Sequence, residues 1–446
     1  MLKKMATVAL CAGVLLSGIY VNVGFSEAEA EHKEKAGNRN NNEKVKNVIY
    51  MIPDGYNADY ATNYRWFKGE KSSFDPYVKG LIQTYSANSE VTDSAAAGTA
   101  MATGVKTNNG MVSVSPEKEE VDSILDAAEG SKKSTGLVAT STITHATPAS
   151  FGASVVDRGA QAKIAPQYFN NDVDVILGGG RDYFLPTSEG GKQTEGNLIE
   201  EAQKDGYEYV TNTDELSKAR GEKVLGLFSD GAMASELERP ETSQPSLADM
   251  TDAAINALDQ DKDGFFLMVE GSQIDWAGHA NDAAWAMHDS KAFDEAVAEA
   301  IEFAKQDGKT LVVVAGDHET GGMSVGANGE YDVKTEILRD VTASGAYMAK
   351  QLNDNRSNVK DVVKEYTGLE LTNKEVNKIK DASDADGAIN KVISDRALIG
   401  WTSGGHTGVD LPIYAYGPQS EKFSGLHDNV DIPMIMAEAM KIELEN

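Results

Sequence analysis

Carboxylate and imidazole groups recur beside glycine in four stretches far apart in the chain. IPDG carries Asp54, EGSQIDWAGH carries Glu270, Asp275 and His279, AGDHETGG carries Asp317 and His318, and TSGGHTG carries His406. Asp275 and His279 stand four apart, so on a helix they share one face and can grip one ion. The glycines after Asp317 and His318 allow close backbone approach. A histidine flanked by glycines in a loop, as His406 is, suits a ligand better than a core. Each group taken singly is equally at home in a solvated loop or a helix cap. Together they repel one another unless cations lie among them. Imidazole and carboxylate without cysteine suit zinc in a catalytic site with an open position.

A second set of residues could act on an anion. Residues 91–104, VTDSAAAGTAMATG, set Asp93 and Ser94 before a run of small side chains. A helix of such residues lets other groups come close and turns its N–H groups and positive dipole end toward a phosphate. Ser94 is there either a nucleophile or an N-cap. No histidine lies near it in sequence to act as base, as a triad would require. A metal ion can replace that base by lowering the hydroxyl's pKa. In THATPASFGASVVDRG, Arg158 can grip two oxygens of a tetrahedral oxyanion, and Thr147 can complete an oxygen-rich magnesium shell; His145 stands two residues before that threonine.

These residues need a scaffold that brings them together. Short β-rich runs recur as GLIQTY, STGLVATSTI, DVDVILGGG, KVLGLF, GFFLMVEGS, KTLVVVAGDH and LPIYAYGP. Between many of them lie helical patterns such as SLADMTDAAINALDQD and HDSKAFDEAVAEAIEFAKQDGK. The alternation predicts an α/β fold, a mostly parallel central sheet with helices on both faces. Ligands bind outside the carboxyl ends of such strands, where the runs deliver Asp54, Glu270, Asp317 and His318. Residues 322–400 have another texture, rich in Lys, Asn and Asp, and read as an inserted, crown-like cap over the site.

The ends and the composition set further bounds. Residues 1–30 read as a secretory signal peptide, with two lysines, an apolar core and a small-x-small site at Ala28-Glu29-Ala30. A retained anchor is the weaker alternative, as is a lipoprotein reading of Cys11. Residues 31–46 read as a flexible polar leader and 47–446 as the catalytic domain. The expectation is a secreted protein, extracellular or held at the cell envelope, with no membrane span after signal removal. The lone cysteine would leave with the signal, so disulfides play no part. A net charge of -29 opposes nucleic acid and anionic lipid. It also makes an anionic substrate depend on local positive charge, which metal ions would supply. Residues 259–270, DQDKDGFFLMVE, match the EF-hand calcium pattern, but GFFLMVEG reads as a strand where that motif needs a helix. An acidic helix-to-strand turn is expected instead.

VTDSAAAGTA, IPDG, THATPA followed by Arg158, VEGSQIDWAGH, AGDHETGG and SGGHTG together resemble bacterial alkaline phosphatase, in the family's order and over almost the whole mature chain. The resemblance implies one zinc held by Asp275, His279 and His406, and a second held by Asp54, Asp317, His318 and the oxygen of Ser94. It implies a magnesium at Asp54, Thr147 and Glu270, and a phosphate clamp at Arg158. The reaction implied is hydrolysis of phosphate monoesters of broad leaving group to an alcohol and inorganic phosphate, through a phosphoserine and in-line two-zinc chemistry. A homodimer is compatible with it. His145 and Trp276 stand where one branch of the family has Asp and Lys. That pair argues against pure magnesium occupancy of the third site and leaves cobalt open in place of one or more ions. A phosphodiesterase or sulfatase of the same superfamily, or a secreted protein that only sequesters phosphate or metal, are the competing readings.

Overall fold

In a computed structural model, which describes residues 45–444, the apolar runs become strands of one ten-stranded sheet. In chain order they are β1 (Asn47–Pro53), β2 (Val78–Gln83), β3 (Ser134–Thr142), β4 (Val175–Gly179), β5 (Glu208–Val210), β6 (Val224–Leu227), β7 (Phe265–Gly271), β8 (Thr310–Ala315), β9 (Leu411–Tyr416) and β10 (Gly425–Asp428). Across the sheet the order is β10-β2-β9-β8-β1-β7-β3-β4-β6-β5. Neighbours are parallel throughout, except that β9 runs antiparallel to both β2 and β8.

The central strands read as continuous apolar runs because both of their faces are covered. Along β1, Val48, Tyr50 and Ile52 join one buried cluster, whereas Ile49 and Met51 join the other. The helices that bear on the site are α1 (Ala58–Lys68), α2 (Ser94–Thr103), α3 (Ala146–Gly152), α4 (Leu247–Leu258), α5 (Gln273–His279) and α6 (Ala283–Asp307). Met101 of α2 and Phe151 of α3 pack on the Tyr50 face; Met250 of α4 and Phe293 of α6 pack on the Ile49 face. Burying each such side chain contributes about 2 kcal/mol. The expected mostly parallel sheet between two helical layers is therefore the fold observed.

All ten residues of α2 are buried, which explains its small side chains. A Cβ added at Gly98 would lie 2.9 Å from Ser150 Oγ of α3, so the two helices are in backbone-close contact.

Between the two-residue strand Glu319–Thr320 and its antiparallel partner His406–Thr407, the chain makes a largely helical excursion that adds no strand to the large sheet. It holds α7 (Gly345–Lys350), α8 (Val359–Thr367), α9 (Asn373–Asp381) and α10 (Ala385–Ala397). Val359, Val362 and Val363 of α8 share a face and join Ile389 and Ile393 of α10 in the core on the α6 side.

The chain is already packed at Val45, two residues inside the stretch read as leader. Val45 is fully buried, and Lys46 N donates to Lys309 O at 2.9 Å. The signal segment and Cys11 lie outside the described residues. After α4 a turn leads straight into β7, so no second helix follows the acidic loop. There Asp261 Oδ2 instead accepts from Ser134 N at 3.1 Å, holding the start of β3. No helix among the described residues is long and apolar enough to cross a membrane.

Candidate active site

β8, β1 and β7 are adjacent and parallel, so their carboxyl ends share one rim. Asp54 follows β1, Glu270 pairs in register with Ile52, and Asp317 follows β8. All three are fully buried. Both oxygens of Asp54, both of Glu270, Oδ2 of Asp317 and Oγ1 of the buried Thr147 have no hydrogen-bond partner. Leaving ionised carboxylates in that state costs several kcal/mol each. Burial, and then Asp317, Asp275 and Glu270, push the pKa of Asp54 well up. Burial pushes Glu270 up to about 7 against the pull of nearby Ser272, Asp54 and Thr147, and raises Asp317 as well. Such an orphaned oxygen set fits divalent cations, whose charge reverses those shifts.

The imidazoles complete two trios. Asp54, Asp317 and His318 form one, and Asp275, His279 and His406 the other; in each, one donor atom per residue lies within 4.8 Å of the rest. In the second trio, Nδ1 of His279 lies 2.8 Å from Gly404 O and Nδ1 of His406 lies 2.8 Å from Thr92 O. A carbonyl oxygen only accepts, so each Nδ1 carries a proton, and in its neutral form each ring turns a bare Nε2 inward. Those two Nε2 atoms stand 3.2 Å apart and 3.4 and 3.6 Å from Asp275 Oδ1. Facing lone pairs at that distance fit a shared cation.

Thr320 ties the trios together. Its hydroxyl donates to Asp275 Oδ1 and so presents only lone pairs to His318 Nδ1, 3.3 Å away. The proton of His318 therefore belongs on Nδ1. Its bare Nε2 faces Asp317 Oδ2 at 3.2 Å, Asp54 Oδ1 at 3.5 Å and Ser94 Oγ at 3.0 Å. Burial and the neighbouring His406 push the His318 pKa well down, which keeps that ring neutral.

Ser94 occupies the first turn of α2 without capping it. The cap is Asp93, whose Oδ1 accepts from Ala96 N at 3.0 Å. Its Oδ2 accepts from Gly110 N at 3.0 Å and from Arg158 Nη1 at 2.9 Å. Burial acts to raise the Asp93 pKa, but the Ala96 N–H and the Arg158 guanidinium outweigh it and leave the carboxylate lowered overall. Arg158 is thus held one residue from Ser94, its Nη2 3.3 Å from His145 Nε2. His145 caps the start of α3 beside Thr147 and meets Trp276 edge-on at 5.9 Å. Burial and Arg158 push the His145 pKa down to about 3, and its Nδ1 is buried without a partner.

Every residue singled out from sequence thus converges on one rim. Sequence reasoning missed Thr320, the anchoring role of Asp93, and the carbonyls of Thr92 and Gly404. Of the other described histidines, His288 bonds Leu338 O at 3.0 Å against Phe67 and serves packing.

Strand-end carboxylates, inward-facing imidazoles and a buried serine beside an anchored arginine define a metal-binding hydrolase of the α/β class. The alkaline phosphatase family profile matches residues 45–442. Alkaline phosphatase 3 of Bacillus subtilis is 41% identical over 99% of this chain and 98% of its own length. The crystal structure of a cold-active alkaline phosphatase from a psychrophilic Shewanella superposes with a TM-score of 0.82 at 34% identity, over 88% of this chain and 99% of that one. A TAB5 alkaline phosphatase with one histidine changed to aspartate and Mg bound in its M3 site superposes with a TM-score of 0.68 at 31% identity, over 90% and 99% of the two chains. The chain belongs to the alkaline phosphatase family and is a phosphoric monoester hydrolase.

Proposed function

We propose that this chain is a secreted phosphomonoesterase that works through a phosphoserine on Ser94, with two zinc ions and a third ion that is magnesium or cobalt. One observation carries the reading. Ser94 Oγ is buried at the mouth of the Asp54, Asp317 and His318 trio, 3.0 Å from His318 Nε2, with Arg158 held beside it by Asp93.

Asp275, His279 and His406 would hold one zinc, and Asp54, Asp317 and His318 with Ser94 the other. Asp54, Thr147 and Glu270 would hold the third ion. The buried, unpartnered Nδ1 of His145 next to Thr147 favours an ion that accepts nitrogen, such as cobalt, in that neighbourhood. When bound, the ions supply Lewis acidity and positive charge, activating the serine hydroxyl and balancing the anionic substrate.

The rest is done by side chains. Arg158 grips two phosphoryl oxygens, and its bond to Asp93 fixes the plane in which it does so. Ser94 Oγ forms a bond to phosphorus as the alcohol oxygen departs from the opposite face. Water then enters on the face the alcohol left, the Ser94 oxygen departs from phosphorus, and the serine hydroxyl is restored. Because Asp93 caps α2, Ser94 owes no bond to its helix and is available at each step.

The test pairs metal analysis of purified protein with a phosphomonoester assay before and after chelation. Stripped protein should be inactive and recover with zinc. A fully active preparation free of bound ions would overturn the proposal. Secretion is tested by sequencing the amino terminus of protein recovered from the medium, which should begin after Ala30.

A further inference from the structure

Residues 91–93 do two things for the site. The carbonyl of Thr92 orients the His406 ring, and the carboxylate of Asp93 caps α2 and holds Arg158. The three residues lie between β2 and α2 and belong to neither, so a partner from elsewhere must set their path. That partner is Asn109. Its Nδ2 donates to Val91 O at 3.1 Å, and its Oδ1 accepts from Asp93 N at 3.2 Å. One planar amide thus bridges the residues on either side of Thr92 and leaves the Thr92 carbonyl for His406. Only an amide offers a donor and an acceptor side by side; an aspartate of the same shape offers acceptors alone.

Asn109 is itself held. Its N–H donates to Asn88 Oδ1 at 2.9 Å, and Met111 N donates to Asn108 O at 3.1 Å, closing a turn with Asn109 and Gly110 at its centre. Gly110 has φ +89°, the left-handed value that a type II turn needs at its third residue. Its N–H reaches Asp93 Oδ2 at 3.0 Å, the same oxygen that receives Arg158 Nη1. Its carbonyl accepts from Arg158 N at 2.9 Å. The turn therefore grips both the main chain and the side chain of Asp93, and the main chain of Arg158 as well.

We infer that Asn109 is a positioning residue for the hydrolysis: through one stretch of main chain it aims the His406 imidazole at its ion and the Arg158 guanidinium at the phosphoryl group. This rests on the phosphomonoesterase reading above. Asn109 is exposed, so its replacement leaves the core intact and its effect can be read in folded protein.

Asn109→Ala is compared with zinc-loaded parent, and with Asn108→Ala as a control from the same turn, whose amide meets Met111 Sδ instead. Loss of the two Asn109 hydrogen bonds should raise the inhibition constant for inorganic phosphate about three- to tenfold. It should speed release of one of the two zinc ions to a chromogenic chelator by about the same factor, the other ion keeping the parent rate. In an Arg158→Ala background the effect on phosphate should shrink to less than about twofold, because Asn109 acts through that guanidinium. Asn108→Ala should match the parent in both readings. Unchanged phosphate inhibition, parent-like or equally accelerated release of both ions, additivity with Arg158→Ala, or an equal effect of Asn108→Ala overturns the assignment and leaves the phosphomonoesterase reading standing. A parent protein that binds no zinc and leaves 4-nitrophenyl phosphate untouched overturns that reading and this inference with it.

Discussion

The Nε2 atoms of His279 and His406 face each other across 3.2 Å, and each ring is anchored through Nδ1 to a main-chain carbonyl. The two anchors come from Gly404 and Thr92, so loop carbonyls orient both rings, and the His406 ring also stacks on that of His318 with centroids 3.6 Å apart. Neutral imidazoles so held repel one another through their lone pairs. The arrangement is stable only with a cation, or protons, between them. Metal loading and the order of this rim are therefore one property.

Replacing Ser94 by Ala should abolish phosphoenzyme and lower turnover by at least about a thousandfold. The carboxylates and imidazoles are untouched, so zinc content should stay near that of the parent. Acid quenching with labelled substrate and elemental analysis read the two outcomes. Labelled protein trapped in the variant would contradict the role given to Ser94.

Arg158→Ala should raise the inhibition constant for inorganic phosphate by roughly ten- to a hundredfold, the value of one charge-assisted pair. Asp93→Asn should do part of the same damage without removing the guanidinium, because the 2.9 Å bond that aims Arg158 is weakened. If phosphate inhibits all three proteins equally, Arg158 does not clamp the substrate.

Thr320→Val removes the hydroxyl shared by Asp275 and His318. Loss of such an orienting partner typically costs about ten- to a hundredfold in metal affinity. Competition with a chromogenic chelator should show weaker retention of zinc, and Thr320→Ser should restore it. Parent-like retention in the valine variant would reduce Thr320 to a packing residue.

Metal-free protein should become less stable as pH rises. Asp54, Glu270 and Asp317 have folded pKa values raised by burial, so the native state binds more protons than the unfolded chain. The resulting stability is fully present below their unfolded values and is lost as pH climbs through the folded ones, for Glu270 between 4.5 and about 7. Thermal melts of chelated protein from pH 5 to about 8 should fall, and reloading with zinc should flatten the trend. A flat or rising curve for the stripped protein would be inconsistent with this account.

The rim was legible in the sequence because parallel strands point their carboxyl ends the same way, so Asp54, Glu270 and Asp317 after apolar runs had to meet. The central strands were legible for a related reason, since burial on both faces leaves an unbroken apolar run. The edges were not. β5 and β10 have three and four residues, too few for a period to show, and Leu426 of β10 is exposed. Nor did LPIYAYGP reveal that β9 runs antiparallel. In the site, Thr320 acts through a hydroxyl shared between His318, two positions away, and Asp275, 45 positions away, and no spacing rule captures the second partner. Asp93 and Ser94 are both good caps, and only backbone conformation decides between them. The carbonyls of Thr92 and Gly404 have no side-chain signature at all.

The excursion separates His318 from His406 along the polypeptide. A nascent chain, emerging amino end first, offers Asp275 and His279 long before their third companion exists. Until the last stretch is delivered, that half-built nest can bind an ion only loosely. On the proposed assignment, capture of that ion would come late and would join the 275–279 stretch to His406, which the excursion holds apart in sequence.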